Sequence, residues 1–311
     1  MNKIKSGTIS ILGKPNTGKS TLVNNLTGRK ISAVSDKPNT TRNKILGVLN
    51  TAVSQILFLD TPGIQVSNKF LNRIMVQSSL QAINESDITL VLIDASKAIT
   101  NDDYEVISRA KDRSPFIVIN KIDLIKKSKI LKIVDLLRNK FPFIKDFIPI
   151  SALENEGLSL LLDELTKILP NYGKIFPDDY FTDQPEKFYL SEIIREKIFN
   201  HYYEEVPYNT AVVVEDIKDK KKMTIIQAYV IVKNSHHKRI IIGKNGSMIK
   251  KIGTESRVEI EEFLLCPIFL DLRVKIDSKW LLRKDKIFNF SNIFFLHSHY
   301  FRYFFSFFTN T

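Results

Sequence analysis

Gly13-Lys14-Pro15-Asn16-Thr17-Gly18-Lys19-Ser20 is the stretch that decides how the first half of this 311-residue chain is read. An apolar run from Thr8 to Leu12 precedes it, and a helical pattern starts near Lys19. Glycine at either end of the loop lets the backbone curl until successive N–H groups face one point. Lys19 adds a cation aimed at the β- and γ-phosphates of a polyphosphate, Ser20 offers a hydroxyl to Mg²⁺, and the helix start adds its positive end. A tight glycine turn between strand and helix would read the same way, so the context further along the chain has to decide.

That context is present. Asp60-Thr61-Pro62-Gly63 ends the strand-like run Ser54 to Leu59. A carboxylate there can hold Mg²⁺ through water, and the Gly63 N–H can sense a terminal phosphoryl group. Asn120-Lys121-Ile122-Asp123 follows Phe116 to Ile119. An ionised Asp123 accepts two hydrogen bonds from the N1–H and exocyclic amine of guanine, which adenine does not offer. Each such bond is worth about 1.5–3 kcal/mol, enough together for discrimination on the order of a hundred-fold. Lys121 is expected along the base plane, with Asn120 tying the loops together. Ser151-Ala152-Leu153 follows Phe147 to Ile150 and is expected to present a backbone N–H to guanine O6. The pieces together specify phosphate, metal and base, the parts of one ligand: GTP or GDP with Mg²⁺.

Between the first two pieces lies Lys37-Pro38-Asn39-Thr40-Thr41-Arg42. Thr40 or Thr41 closes over Mg²⁺ and senses the γ-phosphate; Thr41 is the first choice. Residues 31–43 and 64–70 then form the two nucleotide-responsive segments. The expected contacts are Gly13 to Ser20, Thr40, Thr41, Asp60 to Ile64, Asn120 to Asp123 and Ser151 to Leu153. Lys19, Thr41 and Gly63 are assigned to catalysis, and Ser20, Thr41 and Asp60 to the metal. Ras-like switches carry a glutamine at the position of Ile64 to orient the attacking water. Isoleucine cannot do this, so intrinsic hydrolysis is expected to be slow. Asn16 is either a K⁺ ligand or a side chain that bonds the loop backbone.

Short apolar runs alternating with amphipathic stretches over residues 1–169 indicate an α/β P-loop NTPase G domain, a mostly parallel sheet with helices on both faces. Residues 170–187, with Pro170, Pro177 and Pro185, read as an ordered linker. Residues 188–286 read as an α+β type II KH domain. The order expected is helix (190–203), strand (210–215), strand (224–232), helix, helix (247–264), strand (267–276). Its Gly243-Lys244-Asn245-Gly246 loop lets backbone approach a nucleic-acid backbone. Ile242, Gly243, Lys244, Asn245, Gly246, Lys250 and Lys251 are the expected RNA contacts. Residues 220–254 hold nine Lys or Arg and no Asp or Glu, plus His236 and His237. That local bias says more than the overall +12. An RNA partner is expected and DNA is not.

The single cysteine, Cys266, excludes a disulfide framework and a cysteine metal cluster. The N-terminus lacks a secretory or mitochondrial signal, and no run is long enough for a membrane helix. A cytoplasmic location follows. From Phe288 to Thr311 nine of 24 residues are Phe. This tail, residues 287–311, reads as a peripheral membrane contact or as a disordered or frame-altered end.

Residues 6 to about 286 resemble the Era family of bacterial GTPases. The resemblance rests on Lys37 to Arg42, Phe176 to Asp183, Ser191 to Lys197, Pro207-Tyr208, the Gly243 to Gly246 loop and Trp280. It implies a ribosome-assembly factor that binds the 3′ end of 16S rRNA in the 30S subunit while GTP is bound and leaves after hydrolysis. Some members also touch the inner membrane. The first domain alone also fits tRNA-modifying and double-G-domain GTPases. A subunit gating a tRNA-modification enzyme is therefore one alternative, although the C-terminal cysteine of that type is missing. A KH module with a silent G domain is another, and the intact Lys19, Ser20, Asp60 and Asp123 weigh against it.

Overall fold

The computed structural model describes residues 4–65 and 70–282. The phenylalanine-rich tail lies outside the described residues. Strands β1 (Lys5–Gly13), β2 (Ile45–Asn50), β3 (Ser54–Asp60), β4 (Ile88–Asp94), β5 (Phe116–Asn120) and β6 (Phe147–Pro149) form one sheet in the order β2-β3-β1-β4-β5-β6. All pairs are parallel except β2 with β3.

Five of these strands follow the sequence expectation; β2 was not foreseen. Gly47 interrupts its apolar pattern for a steric reason. A Cβ there would lie 2.3 Å from Ile31 Cδ1 and 3.0 Å from Val23 Cγ1. The strand gives up a side chain so that the segment after α1 can pack on it.

One face of the sheet buries Ile9, Ile11, Phe58, Leu90 and Val118 beneath α1 (Lys19–Thr27) and α5 (Leu158–Ile168). The other buries Val91, Ile93, Ile117 and Ile119 against α2 (Phe70–Asn84), α3 (Asn101–Arg109) and α4 (Lys127–Lys140). Such double coverage explains why the strands read as continuous apolar runs. Every parallel strand points its carboxyl end the same way, so the loops after β1, β3, β4, β5 and β6 gather at one rim.

The segment after α5 is laid against the first half of the chain. Buried Gln55 accepts from the N–H groups of Ile175 (2.7 Å) and Phe176 (2.8 Å) and donates back to Phe176 O. Ile175, Phe176 and Tyr180 cover Leu46, Val48, Leu57 and Leu59.

The second half runs α6 (Glu186–His201), β7 (Thr210–Lys220), β8 (Met223–Val232), α7 (Ser235–Ile242), α8 (Ser247–Leu264) and β9 (Ile268–Ile276). That is the expected order. β7 pairs antiparallel with β8 and β8 parallel with β9. The three helices share one face of this sheet. The other face places Ala211 and Ile231 against Ile74 of α2 and Trp280. Helix α6 starts four residues earlier than the expected 190. Its polar Glu192, Arg195 and Glu196 are buried as thoroughly as its apolar residues. Both halves of the molecule cover it, so no polar stripe marks its solvent face.

Candidate nucleotide site and nucleic-acid interface

The loop between β1 and α1 is held by close approaches that only glycine allows. A Cβ on Gly13 would lie 2.7 Å from Thr17 Oγ1, and one on Gly18 2.3 Å from Asn120 Nδ2. Gly18 has φ 95° and caps α1. The loop borders a cavity of about 450 Å³ lined by Pro15, Asn16, Gly18, Lys19 and Ser20. Thr40, Thr41, Gly63, Asn120, Lys121, Asp123, Ala152 and Leu153 complete the wall. Five separated pieces of sequence therefore meet around one space.

Lys19 is buried, and its Nζ donates to Lys14 O at 2.8 Å and Gly13 O at 3.3 Å. Among the described residues it forms no ion pair. Burial pulls its pKa down to about 8, against the opposing pull of Asp60. A buried cation held only by carbonyls is poised for an anion. Ser20 Oγ donates to Asp60 Oδ2 at 2.7 Å and lies 2.7 Å from Thr41 Oγ1. Asp60 Oδ1 is buried without a hydrogen-bond partner. Burial raises the Asp60 carboxyl above its usual range, opposed by the Ser20 hydroxyl and Lys19. Two hydroxyls and a carboxylate with an orphaned oxygen form a hard oxygen donor set that fits Mg²⁺. Thr40 Oγ1 turns away and donates to Lys37 O at 2.7 Å. Of the two threonines, Thr41 is the one beside Ser20.

Gly63 packs on the loop itself, since a Cβ there would lie 2.6 Å from Pro15 N. Three neighbouring expectations need correction. Thr61 Oγ1 donates to Ile11 O at 2.6 Å, Pro62 O accepts from Ser79 Oγ at 2.9 Å, and Ile64 is 2% exposed in the core under β1 and β4. None of the three lines the cavity; the Thr61 hydroxyl, the Pro62 carbonyl and the Ile64 side chain are committed to the strand end and the core. Lys14 likewise points away, pairing with Asp103 at 2.6 Å. Asn16 Nδ2 donates to Asp36 O, a backbone carbonyl outside its own loop, in the segment that carries Thr41.

Asn120 is 2% exposed; its Nδ2 donates to Thr17 O at 2.7 Å and its Oδ1 accepts from Ala152 N at 2.8 Å. It ties three loops, as expected. Lys121, at φ 65°, donates to Asn16 O and Asp94 Oδ2, both at 2.8 Å. Asp123 is exposed at the cavity wall. Ile122 packs inward. The N–H groups of Ser151 and Ala152 bond Glu156 O (3.0 Å) and Asn120 Oδ1, and Ala152 and Leu153 line the cavity.

Asp94 was missed by the sequence reading. Burial would raise its carboxyl, but Lys121 and Ser96 outweigh that and hold it below its usual range. Its signal was available, because it ends β4 as Asp60 ends β3.

At the far end of the molecule, α7 and α8 meet at Gly243 to Gly246. Gly243 (φ 74°) and Gly246 (φ 76°) are left-handed, and a Cβ on Gly243 would strike Met248 Cγ at 2.7 Å. Lys244, Asn245, Lys250 and Lys251 are exposed; Ile242 is half-buried beside them. Among the described residues none of these lysines has an acidic partner. His237 departs from the expectation of a basic surface: it is 4% exposed, with its Nε2 3.6 Å from Glu205.

Among the described residues no helix is long and apolar enough to cross a membrane. A family model described as a 50S ribosome-binding GTPase matches residues 8–121, and a KH domain model matches residues 205–281. GTPase Era of Syntrophus aciditrophicus (strain SB) is 45% identical over 280 residues, covering 89% of this chain and 91% of that protein. GTPase Era of Geobacter metallireducens is 44% identical over 283 residues, covering 90% and 95%. A solved structure of Era in complex with MgGDPNP and nucleotides 1506–1542 of 16S ribosomal RNA superposes with a TM-score of 0.91 at 38% identity, covering 94% of this chain and 100% of that one. A tyrosine-to-alanine variant of Aquifex aeolicus Era bound to GDP and aluminium fluoride gives 0.90 at 38% identity, with the same coverage.

Proposed function

This chain belongs to the Era GTPase family, and on that premise we propose that it hydrolyses GTP at the β1–α1 rim and uses the α7–α8 loop to bind the 3′ end of 16S rRNA during 30S assembly. The observation that carries the reading is the convergence of Lys19, Ser20, Thr41, Gly63 and Asp123 on one cavity, with Asp60 bonded to Ser20 behind it, in a molecule that also presents an exposed loop whose lysines have no acidic partner among the described residues.

The chemistry asked of the residues is mostly positioning and charge stabilisation. Lys19 Nζ exchanges the carbonyls of Gly13 and Lys14 for phosphate oxygens. The N–H groups at the start of α1 face the same anion. Ser20, Thr41 and Asp60 hold Mg²⁺, which when bound neutralises charge on the phosphates. The Gly63 N–H meets the terminal phosphoryl group, and closeness to Pro15 keeps that position free of a side chain. Asp123 accepts from the guanine edge. Ile64, committed to the core, leaves no side chain there to orient water, so unaided turnover is slow. The cytoplasm is the compartment this reading assigns.

Crosslinking the full-length protein to cellular RNA in the presence of GTP or GDP, then sequencing the bound fragments, tests it. Fragments from the 16S 3′ end, enriched with GTP, are expected. Recovery of tRNA instead would replace this reading with the modification-enzyme alternative.

A further inference from the structure

Thr41 is held in place from the second half of the molecule more than from the first. At its start the segment is fixed locally, with Asn24 Oδ1 accepting from Ile31 N (2.9 Å) and Ser32 N (3.0 Å). Beyond Ala33 most of the anchors change owner. Glu196 Oε2 accepts from Val34 N at 3.0 Å, while its Oε1 pairs with Lys30 Nζ at 2.7 Å. Lys37 Nζ donates to the carbonyls of Phe199 and Tyr202 and sits 4.2 Å from the Tyr203 ring centroid. Arg42, 2% exposed, donates to Thr210 O at 2.9 Å, Pro207 O at 3.0 Å and Tyr208 O at 3.4 Å. Its guanidinium carbon lies 5.6 Å from the Phe199 ring centroid and 6.0 Å from that of Trp280.

We propose that Arg42 and Glu196 are positioning residues for GTP hydrolysis, through which the RNA-binding half holds Thr41 against Ser20 and Asp60. The inference rests on the GTPase reading above and deepens it.

Chain geometry supports it. Arg42 follows Thr41 directly, and adjacent Cα atoms are about 3.8 Å apart. The Thr41 hydroxyl reaches Ser20 on one side of the backbone; the Arg42 guanidinium reaches the start of β7 on the other. A backbone shift that parts either contact therefore also moves the residue that makes the other. The Arg42 contact is also difficult to loosen by degrees. Withdrawing the buried guanidinium breaks its bonds to Thr210 O, Pro207 O and Tyr208 O together, so the arrangement favours two discrete states, docked and parted. Trp280 widens the coupling: it contacts the Arg42 guanidinium and packs in one cluster with Ile74 of α2, the helix that follows Gly63. Helix α2 thus also leans on the second half of the chain.

The consequence is reciprocal. Whatever factor GTP contributes to RNA affinity, RNA must contribute to GTP affinity. Both factors then pass through Arg42 and Glu196. A residue acting this way moves affinity for the triphosphate, which Thr41 senses, and leaves the diphosphate alone.

The test uses full-length wild type, Arg42→Ala, Glu196→Ala and, as a control, Arg273→Ala, an exposed residue of β9 that pairs with Asp271 on the same strand. Affinities for GDP and for a non-hydrolysable GTP analogue are measured with Mg²⁺, alongside single-turnover hydrolysis. In Arg42→Ala and Glu196→Ala the analogue is expected to bind about tenfold more weakly while GDP stays within about twofold, with slower hydrolysis. Arg273→Ala is expected to keep the wild-type ratio. Equal weakening of both nucleotides would mark a merely structural role and overturn the proposal, as would an unchanged ratio in both variants. Should Arg42→Ala not fold, Glu196→Ala decides by the same criterion. Failure of wild type to bind either nucleotide would instead remove the GTPase reading, a separable result.

Discussion

Asn120→Ala separates a residue that ties loops together from one that only touches ligand. Asn120 is buried, and its amide joins the β1–α1 loop at Thr17 O to the β6 loop at Ala152 N. Truncation leaves that carbonyl and that N–H without their partner. Each such loss costs about 1–3 kcal/mol, with the lower figure applying if water enters from the adjoining cavity. A loss of about 2–4 kcal/mol is therefore expected in the nucleotide-free protein. At roughly 2–4 °C per kcal/mol for a domain of this size, the melting temperature should fall by about 5–15 °C. The assay is scanning calorimetry of the nucleotide-free chain, beside Asp123→Asn. Asp123 is exposed, so its variant should stay within about 0.5 kcal/mol of wild type while losing affinity for guanine nucleotides. If Asn120→Ala melted with wild type and lost only nucleotide affinity, the reasoning from its two buried hydrogen bonds would be wrong.

Other outcomes follow from the same geometry. Asp123→Asn should shift preference from guanosine toward xanthosine nucleotides in a competition titration; an unchanged preference would mean that the base sits elsewhere. Lys244→Asp with Asn245→Asp should abolish RNA binding at physiological salt and spare nucleotide affinity, because no residue of this loop lines the nucleotide cavity. Gly63→Ala should slow hydrolysis sharply, since the added methyl would meet Pro15 N at 2.6 Å; normal turnover would refute that packing. Lys19, lowered to about 8, is about half protonated at pH 8 before nucleotide binds. Phosphate oxygens favour its charged form, so binding should take up about half a proton at pH 8 and about a tenth at pH 7. Calorimetry in buffers of differing ionisation enthalpy reads this number, and no difference between the two pH values would contradict the burial of Lys19.

Much of the nucleotide site was legible from the chain alone, because its chemistry is written in contiguous pieces that each end a strand. Gly13 to Ser20, Asp60 and Asn120 to Asp123 need only the rule that parallel strands bring their carboxyl ends together. Strand β2 was not legible, since Gly47 looks like a break until Ile31 is seen filling the space of its missing side chain. Ile64, Thr61 and Pro62 were over-read as contacts: adjacency in sequence to Gly63 does not say which way a side chain turns.

Local patterns of residue type thus determined the fold class, the ligand chemistry and the α7–α8 loop, because glycine spacing, strand ends and lysine clustering act over a few residues at a time. The choice of Thr41 over Thr40, the burial of Arg42 and of the charged residues of α6, and the hold of Glu196 on Val34 were decided by tertiary structure alone. Those depend on pairs more than 20 residues apart in the chain, as with Ser20 and Thr41 (separation 21) and Val34 and Glu196 (separation 162). A linear pattern carries no record of which distant backbone will arrive to meet a given side chain.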